Sequence, residues 1–159
     1  MKITPDQCFE CLGTIFKPLN WDVEYKNKPK AILGGFQIDQ THNAQIAIAM
    51  DDERDSVIFG STYLFQPPKS LCNKIRHFLI EEAVILYGTN IQFNPKEGVH
   101  INNRCWLPDL PLNSEELRAL MEPYLKAILR TANYLFPRLI EFLNKQEVLR
   151  RGDNFHLPN

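Results

Sequence analysis

Residues 90–149 constrain this chain more than any other stretch. Ile91 and Phe93 alternate with polar residues, and a Pro95-Lys96-Glu97-Gly98 turn follows. Val99 and Ile101 then share one face of a second strand, so 90–107 reads as a hairpin. Leu107-Pro108-Asp109-Leu110-Pro111-Leu112 is an apolar linker bounded by prolines. Beyond it a long amphipathic helix begins at Asn113, with Glu116 three residues on and Leu112 placed to staple onto Leu117. Its apolar stripe runs from Leu117, Leu120 and Met121 to Leu143 at helical spacing. Pro123 and Pro137 lie inside it, and each removes a backbone donor, so a kink or a split is expected there. Gly152 is the expected stop, with Asp153–Asn159 as a loose tail. This is a building plan, and no catalytic motif accompanies it.

The first ninety residues follow the same logic. Thr4, Pro5 and Gln7 form an N-terminal capping-box pattern. Cys8, Phe9, Leu12, Ile15, Phe16 and Leu19 keep helical spacing up to Pro18 and Asn20. Four strand candidates come next. Trp21, Val23 and Tyr25 alternate with charged residues. Residues 31–39 carry Ile32, Phe36 and Ile38 on one face, with Gly34-Gly35 suggesting a bulge or a close backbone approach. Ile46, Ile48 and Met50 form the third strand, and 56–65 is apolar on both faces. Short turns between them predict an antiparallel meander. Pro67-Pro68 breaks the chain, and Ser70 is the expected cap of a second helix that carries Leu71, Ile75, Phe78, Leu79 and Leu86 and stops at Gly88. The order is helix, four strands, helix, two strands, helix: an α+β fold with helices on one face of an antiparallel sheet. Residues 1–152 are expected to be one domain and 153–159 a tail.

Composition bounds the partners. A chain of 159 residues can bury roughly 70% of its unfolded surface without a disulfide or a metal. The formal net charge is −1, so the basic excess usual in nucleic-acid binders is missing. Lys26, Lys28 and Lys30, and Arg150-Arg151, read as solvated surface. No apolar run is long enough for a membrane helix, and the N-terminus lacks the apolar core of an export signal. Cys8, Cys11, Cys72 and Cys105 are therefore expected to be reduced thiols in a cytoplasm.

The strand Ile91-Gln92-Phe93, the turn to Gly98, the strand Val99-His100-Ile101, the linker 107–112 and the Glu115-Glu116-Leu117 helix start together resemble the type III secretion chaperone-like fold. That fold covers the CesT-type chaperones and the YbjN-type bacterial domains. The resemblance implies a small, non-enzymatic, cytoplasmic homodimer. Such proteins bind extended segments of partner proteins on apolar patches and sheet edges. It supplies no catalytic residues and no cofactor.

Several constellations of polar and sulfur residues have plainer roles than chemistry. Cys8-Phe9-Glu10-Cys11 is a CxxC, but it sits inside a helix with no preceding strand and no second ligand pair, so core packing is expected. His42, His77, His100 and His156 are scattered, with no metal or catalytic spacing. Asp51-Asp52-Glu53-Arg54-Asp55 lacks the spacing and glycine of a calcium loop and reads as a hairpin tip. Glu81-Glu82 point about 100° apart on a helix, which leaves one of them in solvent. Gly34-Gly35 lacks the GK[ST] of a phosphate loop.

Two functions stand. The first is a protein-binding, chaperone-like homodimer. It buries a partner's apolar segment on the sheet or in the groove beside the last helix, by strand addition where an edge is free. Val57, Phe59, Tyr63, Phe65 and Trp106 are its expected partner-binding residues, with no cofactor, nucleic acid or membrane involved. The second is a small-molecule or enzymatic domain with a cavity between sheet and helices, for which His77, Glu82, His100 and Arg104 are the polar candidates.

Overall fold

In a computed structural model of the chain, residues 2–19, 21–27, 30–83 and 88–155 are described, with the backbone alone at 148 and 150–155. Asn20 at the expected end of the first helix, Lys28 of the basic patch, Leu86 of the second helix, and His156 lie outside these residues.

The element order is the expected one. Helix α1 (Pro5–Phe16) leads through a 3-10 turn into the strands β1 (Val23–Asn27), β2 (Lys30–Gln37), β3 (Asn43–Asp51) and β4 (Ser56–Tyr63). Helix α2 (Cys72–Ala83), the strands β5 (Asn90–Asn94) and β6 (Gly98–Trp106), and helix α3 (Ser114–Phe155) complete it. One antiparallel sheet has the order β1-β2-β3-β4-β6-β5. The Gly98 hairpin therefore inserts β6 beside β4 and leaves β5 at the edge.

Both capping boxes form. The Gln7 N–H donates to Thr4 Oγ1 (3.2 Å) while the Thr4 N–H donates to Gln7 Oε1 (2.8 Å). The Asn113 and Glu116 pair does the same for α3, at 2.9 Å each way. These bonds satisfy amide donors that the first helical turn cannot satisfy itself.

Local departures have local causes. α1 ends at Phe16, and Leu19 is left exposed in the 3-10 turn imposed by Pro18. β1 starts at Val23, because Trp21 is taken up by its rings' neighbours Phe16 and Phe36 (5.7 and 6.1 Å between centroids). Ser70 does not cap α2, which is entered through a 3-10 turn at Lys69–Leu71. Neither proline splits α3. The carbonyls that lose a donor to Pro123 and Pro137 belong to Ala119 and Asn133, both on the exposed side of the helix. The helix also passes Gly152 and runs to Phe155: a glycine weakens a helix but does not end it.

The core lies between one sheet face and a helix layer. Alternate residues of the strands, Ile32, Ile46, Ile48, Phe59 and Ile101 among them, are buried under Leu12 and Phe16 of α1 and Met121, Leu125, Ile128 and Phe136 of α3. α2 joins through Ile75, Leu79 and the stacked pair Phe78–Phe142, 4.6 Å between centroids. Asn103 is buried in this layer and donates from Nδ2 to the Tyr124 carbonyl at 3.0 Å, which pins β6 to α3.

Candidate functional site

The period-two alternation that buries one sheet face turns the other away from the helices. Its residues fall in rows across the strands. One row is Gln92, His100, Thr62, Gln45 and Gly35. The next is Asn90, Asn102, Gly60, Ala47 and Leu33. A third is Arg104, Ile58, Ala49 and Ala31, and the last joins Trp106, Ser56 and Asp51. The middle of the face is built of small residues and its ends are polar.

Two side-chain groups are fixed on that face. The His100 ring lies over Gly60, where a Cβ would come within 2.8 Å of Cε1, and its Nδ1 is 2.7 Å from Thr62 Oγ1. Burial holds the imidazole below its ordinary pKa, with Glu97 opposing the shift. Arg104 donates to Asp51 Oδ2 (2.7 Å) and to the buried Ser56 Oγ (2.6 Å). Its guanidinium stands 5.3 Å over the Trp106 ring, and the hydrogen bond from Arg104 keeps the Asp51 carboxyl below the usual carboxylate range. Trp106 itself is 59% exposed.

A second surface runs along the C-terminal half of α3. Pro137, Ile140, Asn144 and Leu149 line an open groove of about 660 Å³, with Glu141, Lys145 and Asp39 on its rim. Glu141 and Lys145 pair at 3.2 Å. Asp39 accepts from the Thr41 and His42 backbone amides (both 2.8 Å) and lies 2.8 Å from His42 Nδ1, so its carboxyl titrates below the usual range. On the other side of the helix Phe142, Gln146 and Leu149 face Asn73, Lys74, His77, Phe78 and Glu81 of α2 across a groove of about 600 Å³. Leu149, 59% exposed, borders both.

The five residues expected to bind a partner separate. Val57 and Phe59 are fully buried and Tyr63 nearly so, packed toward α3: Phe59 stacks on Tyr124 and Tyr63 lies against Phe136. Phe65, just past β4, is half-buried between Tyr63 and Phe93. Trp106 alone offers a large open ring. A strand apolar on both faces reads the same whether a helix or a partner covers it, and here α3 covers one side. The groove beside the last helix was expected from the sequence, but its outer wall at Leu149 lies beyond the stripe that ends at Leu143.

The polar set of the second reading does not assemble. His77 and Glu82 belong to α2, in the helix layer, whereas His100 and Arg104 stand on the opposite face of the sheet. His77 is exposed and pairs with Glu81 at 3.1 Å. Cys8, Cys11 and Cys105 are buried, and desolvation pushes the Cys8 thiol up to about 12 and that of Cys105 to about 11. These are packing thiols, far from the depressed values of reactive ones. Among the described residues no group of three His, Cys, Asp or Glu could hold a metal, and no helix is long and apolar enough to cross a membrane.

No protein-family model and no curated protein matches the chain. Among solved structures, it is similar in backbone course to a chain of the ExsC–ExsE complex, with a TM-score of 0.49 and 10% identity over 85% of this chain and 97% of that one.

Proposed function

We propose that this chain is a non-enzymatic protein-binding module that acts in the cytoplasm and buries an apolar segment of a partner protein in the groove beside α3. The observation that carries this reading is the groove itself: aliphatic walls at Pro137, Ile140 and Leu149 with a charged rim at Asp39, Glu141 and Lys145. Apolar surface left open and rimmed by charge is the ordinary form of a protein interaction site. An apolar segment entering it would be desolvated by the walls and oriented by the rim. The chain is proposed to act as a homodimer.

Affinity purification from the native host, run in parallel with wild type and Leu149→Glu, tests the reading. Leu149 is exposed, so the substitution leaves the core untouched. One dominant protein on the wild type, depleted at least tenfold on the variant, is the expected result. Equal recovery on both removes the groove from the mechanism, and a wild type carrying only a small molecule overturns the protein-binding reading.

A further inference from the structure

The uncovered face of the sheet has a shape that the proposed partner groove does not use. A hollow of about 480 Å³ opens over Leu33, Gly35, Gln45, Ala47 and Thr62, toward the β1 edge. At the opposite corner Trp106 stands proud. Its ring lies against the Arg104 guanidinium, which is itself tied to Asp51 and Ser56. We propose that this face is covered by the same face of a second copy of the chain, the Trp106 ring of each copy seated in the hollow over Gly35 and Ala47 of the other. This rests on the homodimer reading above and names its interface.

Three observations select a second copy as the occupant. The first is geometric. Projection and hollow lie on one face, so a two-fold axis in the plane of that face, perpendicular to the line joining them, pairs both at once. Reciprocal contact of this kind is what an isologous interface requires. The second is charge. The charged side chains include Asp22, Glu24 and Lys26 at the β1 edge and Asp51 and Arg104 beside Trp106; the two-fold that seats Trp106 carries Arg104 of each copy to the acidic rim that Asp22 and Glu24 give the other's hollow. Asp51 and Arg104 already neutralise each other at 2.7 Å. The third is area. Six strands at about 4.8 Å spacing, averaging about seven residues at about 3.4 Å each, give a face of roughly 600 Å² per copy. Two such faces bury about 1,200 Å², the lower bound for a stable dimer. The small residues Gly35, Ala47, Ala49 and Gly60 let the sheets approach to the ordinary stacking distance of about 10 Å.

Sedimentation equilibrium of the full chain from micromolar to millimolar concentration reads the association. Wild type is expected to pass from monomer to dimer within that range. Trp106→Ala removes the projection and Ala47→Glu charges the hollow, and each alone is expected to raise the dimer Kd about 100-fold with an unchanged circular dichroism spectrum. An equimolar mixture of the two variants is the decisive sample. One intact Trp106 then meets one intact hollow, and a heterodimer about tenfold weaker than wild type is expected. A wild type that stays monomeric at millimolar concentration overturns the homodimer reading and this interface with it. A dimer indifferent to both substitutions, or variants whose mixture associates no better than either alone, keeps the homodimer and overturns this face as its contact.

Discussion

At the scale of single residues, backbone geometry is the strictest demand. Gly98 opens β6 with φ +99°, in the region that residues with a Cβ avoid, and a Cβ there would also run into the Tyr63 carbonyl. The close approach exists because β6 enters the sheet directly against the end of β4. Gly98→Ala should destabilise the fold by about 2 kcal/mol or more, read as a lower urea midpoint at unchanged slope. That glycine was legible in the sequence as a turn residue. Its crowding against Tyr63 was not, because the sequence does not say which strand β6 will join. Trp106 shows the same division: its alternation with Cys105 marks it as facing away from the core, while the Arg104 and Asp51 bracket that holds it joins residues far apart in the chain.

At the scale of elements, local pattern served well. Both capping boxes stand where residue type and spacing put them, since their partners are only three residues apart. Asn113→Ala should cost about 1 kcal/mol, measured by denaturant unfolding, because it removes the side-chain oxygen that accepts the Glu116 N–H at the start of the helix that roofs the core. The failures were at element ends. A proline inside a helix, or a glycine near its end, weakens the helix by a fixed local amount. Whether it stops depends on what packs against it, and α3 is held on both sides of Pro123 and Pro137 by buried Met121, Leu125, Phe136 and Leu139. Packing of that amphipathic face outweighs the local penalty.

At the scale of the whole molecule, the buried thiols give a pH signature. The reference value for these thiols is 9.0, and burial raises Cys8 to about 12 and Cys105 to about 11. Above about pH 9 the unfolded chain releases these protons first, so its free energy falls relative to the folded state. The contribution is complete below 9 and is lost as pH rises through 11 to 12. Urea midpoints should fall between pH 8.5 and 10.5, and Cys8→Ala/Cys105→Ala should flatten that slope even though it lowers the midpoint at pH 8. Thiol reagents should modify both residues at the rate of unfolding. The sequence by itself determined which segments are helix and strand, their order, and the α+β class, because periodicity, caps and turns act over a few residues. It did not determine the strand order β4-β6-β5, the burial of Val57 and Phe59 beneath α3, or the separation of His77 and Glu82 from His100 and Arg104 by a whole sheet. Those follow from which apolar faces meet, a choice made by the simultaneous packing of all elements that no local window of the chain contains.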